Sequence, residues 1–238
     1  MLQGKKVVIV GGSSGIGLAG ARAAAEHGAH VVIVGRSEKK LQAALEQITG
    51  NIEGHALDFT VEENIRQFFD KLGNLDHLVV TAGGNVSPSS FVEAETSLAR
   101  SVLEGKFWVQ YNTAKHGAKY VNRGGSIILF SGLYSRKPSK GFVALAANNG
   151  AIESLGRALA IEFAPIRVNV ISPGLVETPI YHMIPEAQRI SMFASVAKNL
   201  PVGRIGMPED IAETMLYLMQ NGYTTGSVIY VEGGARII

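Results

Sequence analysis

The residues best placed to bind an anion are Gly11-Gly12-Ser13-Ser14-Gly15-Ile16-Gly17. An apolar run, Val7-Val8-Ile9-Val10, leads into them, and an alanine-rich segment from Leu18 to His27 follows at once. A helix N-terminus carries free N–H groups and the positive end of the helix dipole, so a glycine turn that feeds one can cradle a phosphate. The glycines have separable jobs. Gly11 allows a sharp turn, Gly15 lets the backbone approach a pyrophosphate, and Gly17 lets helix and strand pack closely. With Ser13, Ser14 and Ile16 between them they make a candidate dinucleotide-phosphate turn. A second candidate is Gly35-Arg36-Ser37, at the end of the next apolar run. An NAD-preferring site usually places Asp or Glu here to bond the ribose hydroxyls. Glycine instead leaves room, and a guanidinium can grip a 2′-phosphate in two places. This pair points to NADP(H); the alternative is an exposed arginine in a strand-to-helix turn.

The elements that must hold these turns follow from periodicity. Val7–Val10 and His30–Val34 read as buried strands, joined by a helix that ends at Gly28. Leu41, Ala44, Leu45 and Ile48 form one helical face, and a short strand at His55–Leu57 runs into Asp58-Phe59-Thr60. Thr60 with Glu63 has capping-box spacing ahead of a helix with apolar Ile65, Phe68, Phe69 and Leu72. Leu78–Val80 is a fourth strand, and its exit, Thr81-Ala82-Gly83-Gly84, is small enough for a cofactor to lie over it. Glu95 to Val121 is helical with a break near Gly105; Ile127–Phe130 is a strand, Gly150 to Ala164 a helix and Arg167–Ile171 a strand. Pro173-Gly174 opens a loop-rich stretch, residues 175–208, that reads as a substrate lid; Pro208 to Gln220 is the last helix and Ser227–Val231 the last strand. Strands alternating with helices imply one domain over 1–238, an α/β Rossmann-type, doubly wound parallel sheet of about seven strands with helices on both faces.

Composition narrows the partners. The 238 residues are 46% hydrophobic and 18% charged, with a formal net charge of +2 from 22 basic and 20 acidic side chains. The charges are mixed along the chain, so no nucleic-acid footprint is expected. There is no cysteine, which removes disulfides, thiolate metal sites and a cysteine nucleophile. His116 and His182 lack neighbours at metal-ligand spacing, so no metal is expected. No apolar run is long enough to span a bilayer, and the expected setting is soluble and cytoplasmic, away from membranes.

At this point the chain resembles the short-chain dehydrogenase/reductase family over essentially its whole length. The matching segments are Gly11-x-x-x-Gly15-Ile16-Gly17, Asp58, Ala82-Gly83, Arg157-Ala-Leu-Ala-Ile-Glu162, Arg167-Val-Asn-Val-Ile-Ser-Pro-Gly174, Thr178-Pro179 and Pro201-Val-Gly-Arg-Ile-Gly-Met-Pro-Glu-Asp210, with Gly226 and Glu232-Gly-Gly234. The resemblance implies that Asp58, with Phe59 beside it, meets the adenine. It also implies that Pro173, Gly174, Val176 and Thr178 border the nicotinamide end, and that the protein forms a homo-oligomer, a dimer or tetramer. Its long middle helix and the Gly150–Ala164 helix would pair between subunits.

The family's catalytic residues are missing from their usual places. Counting back from Glu162, Leu145 holds the place of the tyrosine and Asn149 that of the lysine in Tyr-x-x-x-Lys. Gly132 holds the place of the serine, with Ser131 beside it, and Lys106 that of the middle-helix asparagine. Tyr111 and Lys115 have the motif's spacing but lie in the wrong helix, where such a pair is commonly a surface contact. Lysine and asparagine look exchanged across the site. Asn149 can still bond ribose hydroxyls, while a buried Lys106 would have a lowered pKa and serve as proton donor. Alternatively Lys106 is exposed or paired with Glu104. Ser131 can orient a carbonyl or bond to backbone; Tyr134, Arg136 and Lys137 can reach the site or form a solvated loop. Tyr181 to Ile184, with Met192 and Phe193, covers substrate or packs on the core. The leading expectation is an NADP(H)-dependent reductase, with an atypical active site, of a carbonyl or related small molecule. The alternative is a catalytically inactive NADP(H)-binding sensor or scaffold.

Overall fold

The computed structural model describes residues 2–81, 83 and 87–238. Seven parallel strands form one sheet in the order β3-β2-β1-β4-β5-β6-β7. They are β1 (Lys6–Val10), β2 (His30–Gly35), β3 (Ile52–Ala56), β4 (Leu75–Val80), β5 (Val121–Phe130), β6 (Arg167–Pro173) and β7 (Val228–Val231). The order reverses between β1 and β4. A crevice therefore opens at their carboxyl ends, because the connections leave on opposite sides there.

Helices cover both faces. α1 (Gly15–Glu26), α2 (Glu38–Leu45) and α8 (Pro208–Gln220) bury one side of the central strands under Ile9, Ile33, Ile128, Ile211 and Met215. α3 (Glu62–Leu72), α5 (Val109–Gly117) and α6 (Val143–Glu162) cover the other with Ile65, Phe69, Val109 and Ile152. Alternate residues of β1 feed the two cores: Val7 and Ile9 face one, Val8 and Val10 the other. That continuous apolar run is what a strand covered on both faces requires. Among the described residues, no helix is long and apolar enough to cross a membrane.

Several boundaries differ from the sequence reading for physical reasons. β3 spans Ile52–Ala56 rather than His55–Leu57; it is an edge strand with half-exposed residues and carries no apolar run. α2 begins at Glu38 because Ser37 caps it, its Oγ accepting the Lys40 N–H at 3.3 Å. The capping box at Thr60 does not form. Val61 is the residue at the helix start, Thr60 donates from N–H and Oγ to Asp58 Oδ1, and Glu63 pairs with Arg66. α6 starts seven residues early, at Val143, because Asn148 and Asn149 face inward and interrupt the apolar pattern. The stretch 175–208 is less loop-like than its prolines imply. It holds a 3₁₀ turn (Pro179–Met183) and the 14-residue α7 (Glu186–Asn199), which prolines tolerate at helix starts.

Candidate active site

A cavity of about 530 Å³ lies at the sheet's switch point. Gly11, Ser13, Ser14, Gly15, Ile16 and Gly17 form one wall. Gly11 has φ +87° and Gly15 φ +52°, so the turn needs residues without a Cβ. A Cβ on Gly17 would lie 2.2 Å from the Gly11 carbonyl oxygen, so the helix approaches the strand closely here. The α1 start lacks a side-chain cap and an acidic residue in its first turn. Its N–H groups are thereby left for an outside anion, and the turn fits a dinucleotide phosphate on its own geometry.

Arg36, Ser37, Asp58 and Phe59, where the family resemblance puts the adenosine, all lie on the cavity wall. Thr60 ties down Asp58 Oδ1 at 2.9 and 2.8 Å, and among the described residues the other carboxylate oxygen is left as an acceptor. Those hydrogen bonds, with the Arg36 charge nearby, hold the Asp58 pKa below the usual carboxylate value. Lys40, in the first turn of α2, joins Arg36 on this wall. Sequence reasoning passed over it because its spacing marks only an ordinary helix surface.

The other end is built around Lys106. The middle helix does break near Gly105. α4 (Thr96–Val102) gives way to a π-helical turn, Leu103–Trp108, before α5 continues. A π-turn adds a residue to the helix and re-aims a side chain, and the Val102 carbonyl before it accepts the Asn148 amide at 2.8 Å. Gln110, one turn on, clasps both the N–H and C=O of Phe130, at 2.7 and 2.9 Å, and so fixes the end of β5. From this turn Lys106 Nζ donates to the Ser131 carbonyl at 2.7 Å and to Asn149 Oδ1 at 2.6 Å. Lys106 is only partly exposed, and desolvation pushes its pKa down to about 8. Among the described residues, two of the ammonium's three hydrogens find acceptors; the third position remains for the cavity that Lys106 lines.

Three expected site residues stand back from the cavity. Asn149 is buried, its Nδ2 donating to the Gly132 carbonyl at 3.2 Å and its Oδ1 taken by Lys106, so it reaches the cavity only through Lys106. Gly174 packs against Glu232, and Val176 is buried beside Gly206. Pro173, Thr178 and Gly83 do line the wall; Ala82 and Gly84 lie outside the described residues. Ser131 lines the cavity and meets Lys106 through its carbonyl, while its hydroxyl lies 3.5 Å from the buried Glu153 carboxylate. Leu145, Gly105, Val109 and Ile180 give this end apolar walls.

The remaining candidates are accounted for elsewhere. Arg136 bonds Tyr230 and the Glu153 carboxylate, and Lys137 donates to the Ala235 and Ile238 carbonyls, so both clasp the C-terminal segment. Tyr134 stacks on Phe142, and Tyr181 meets the buried Phe193 edge-on, tying the 3₁₀ turn to α7. Lys115 and His116 both pair with Glu62, and Tyr111 packs on Phe107 and Trp108. Among the described residues, no group of His, Cys, Asp or Glu is placed to hold a metal ion.

A family profile described as enoyl-(acyl carrier protein) reductase matches residues 10–236. The short-chain dehydrogenase/reductase ATR9 of Stachybotrys chlorohalonatus is 34% identical, with 98% of each chain covered. This chain belongs to the short-chain dehydrogenase/reductase family. Among solved members, a small-chain dehydrogenase in complex with NADPH superposes with TM-score 0.87 at 36% identity, covering 99% of this chain and 100% of its own. A short-chain oxidoreductase from Pseudomonas aeruginosa PAO1, described as containing an atypical catalytic center, superposes with TM-score 0.88 at 29% identity, covering 97% and 96%. The family members it matches are oxidoreductases that act on small molecules.

Proposed function

We propose that this chain is an NADPH-dependent reductase of a carbonyl or related small molecule, with Lys106 as its proton source. The carrying observation is the Lys106 amine, which shares one cavity with the glycine turn and bonds Ser131 and Asn149. The turn from Gly11 to Gly17 would hold the pyrophosphate. Asp58 and Phe59 would hold the adenine, and Gly83, Pro173 and Thr178 would border the nicotinamide. Arg36, Ser37 and Lys40 would take the 2′-phosphate, two cations and a hydroxyl where a carboxylate would repel it. The NADPH complex of a relative supports the same choice. A bound reduced nicotinamide supplies the hydride.

The chain's own residues supply the rest. Lys106 holds a proton toward the cavity and stabilises the negative charge that develops on the substrate oxygen. A pKa near 8 suits the task, since the group is protonated at neutral pH yet gives up its proton readily. Asn149 and Ser131 position the amine, and Leu145 leaves an apolar surface where the family resemblance puts tyrosine. Residues 175–208 serve as the lid over the substrate. The relatives lend no support to a non-catalytic sensor. Incubating the protein with NADPH and a panel of aldehydes and ketones, and following loss of reduced-nicotinamide absorbance, tests the reading. Turnover of at least one compound is the expected result; NADPH binding with no turnover across the panel refutes it.

A further inference from the structure

We propose that Lys106 in its neutral form is a nucleophile that captures aldehydes in this cavity as imines. The inference rests on the same placement of the amine as the proposed reductase reading but needs no hydride transfer. A neutral amine has two N–H bonds and one lone pair. The Ser131 carbonyl at 2.7 Å and Asn149 Oδ1 at 2.6 Å take both hydrogens. The lone pair is then left for the direction facing neither acceptor, in a cavity that Lys106 lines with Leu145 and Ile180.

The aim is fixed beforehand, because both acceptors are held. Ser131 follows the Phe130 peptide that Gln110 clasps, and the Asn149 amide is anchored on the Gly132 carbonyl. Burial also supplies the free base. The lysine pKa shifts seen elsewhere go the other way: Lys115 and Lys119 are raised by their carboxylate and phenol partners. At neutral pH the free-base fraction of Lys106 exceeds that of an ordinary lysine by about two orders of magnitude.

The step balances without an oxidant or reductant. The nitrogen lone pair adds to the carbonyl carbon, the C=O electron pair moves to oxygen, and one proton passes from the now cationic nitrogen to that oxygen. The resulting carbinolamine loses its hydroxyl with one N–H hydrogen as water, leaving C=N. Apolar walls favour this dehydration.

The test uses the full chain without added nucleotide, benzaldehyde as probe and sodium cyanoborohydride to trap the imine, with peptide mass mapping. Lys106 is expected to gain the benzyl group about tenfold or more faster than Lys115 and Lys119, after discounting for its lower basicity. Lys106→Arg, which keeps the cation but has no comparable lone pair, should lose that fast phase. Labelling of Lys106 no faster than the surface lysines overturns the proposal, and the comparison needs only the wild-type protein. Fast trapping without NADPH turnover leaves the imine site standing and removes the reductase reading. Turnover without preferential trapping does the reverse.

Discussion

Replacing Lys106 with methionine removes the amine and keeps most of the stem. The proton source carries about 10²–10⁴ of the rate, so kcat should fall by that factor, an increase of about 3–5 kcal/mol in the barrier. Folding should change less. Desolvation lowers the Lys106 pKa from 10.5 to about 8, so holding the ammonium at neutral pH costs the native state about 3 kcal/mol. Methionine relieves that cost but orphans the Ser131 carbonyl and Asn149 Oδ1, each worth about 1–3 kcal/mol. The two effects largely offset, and the urea midpoint should move little. NADPH affinity, by fluorescence titration, should stay within about threefold, because only the transition state calls on the proton. The assay is steady-state NADPH oxidation with the best carbonyl from the panel, kcat and kcat/KM falling in parallel. A folded Lys106→Met protein whose kcat lies within about tenfold of wild type would sink the assignment.

Four further outcomes are expected. Reduction by the wild type should decline as pH rises through about 8, where the Lys106 ammonium loses its proton, and the residual activity of Lys106→Met should lack that step; a flat wild-type profile between neutral and pH about 9 contradicts the acid role. Arg36→Ala should cut the preference for NADPH over NADH by about 10- to 150-fold, the worth of a charge-assisted pair of about 1.5–3 kcal/mol, and isothermal titration reads it directly. His77 is buried against Ser126, and burial lowers its pKa from 6.5 to about 4. The unfolded chain therefore binds the extra proton first. Up to about 3 kcal/mol of stability present above pH 6.5 is lost as pH falls toward 4, and His77→Gln should flatten that slope in urea melts. Light scattering should report a dimer or tetramer at micromolar concentration, through α4–α5 and the outer face of α6, where Ile161 is 84% exposed; a monomer refutes it.

The parts of the fold legible in sequence were those where burial dictates composition. β1, β2, β4 and β5 are covered on both faces and carry unbroken apolar runs: Val7–Val10, Val31–Val34, Leu78–Val80 and Ile127–Phe130. The edge strand β3, Ile52-Glu53-Gly54-His55-Ala56, carries no such run, and its position was read late. Spacing misled where a second group competed for the same donor. Thr60 stands where a capping box begins, but the Asp58 carboxylate takes both its N–H and its hydroxyl. Gly156 in α6 serves packing within the chain, since a Cβ there would lie 2.3 Å from Val170 Cγ2.

The site divides along the same line. At the turn proposed to hold the phosphates, backbone geometry selects glycine, so Gly11, Gly15 and Gly17 are legible in the sequence. At the other end the work is done by side chains from distant elements, and no local rule pairs position 106 with position 149. The exchange of lysine and asparagine gave the pairing, yet it misplaced the amide. With Lys106 Nζ on its Oδ1 and the Gly132 carbonyl on its Nδ2, Asn149 is buried behind the amine and does not line the cavity. The two residues therefore act in series, and a Leu145→Tyr, Asn149→Lys double variant would set a second ammonium against the first where a 2.6 Å hydrogen bond now stands. Restoring the family's tyrosine and lysine in this chain thus requires removing Lys106 as well, because one buried site cannot hold both cations without an anion between them.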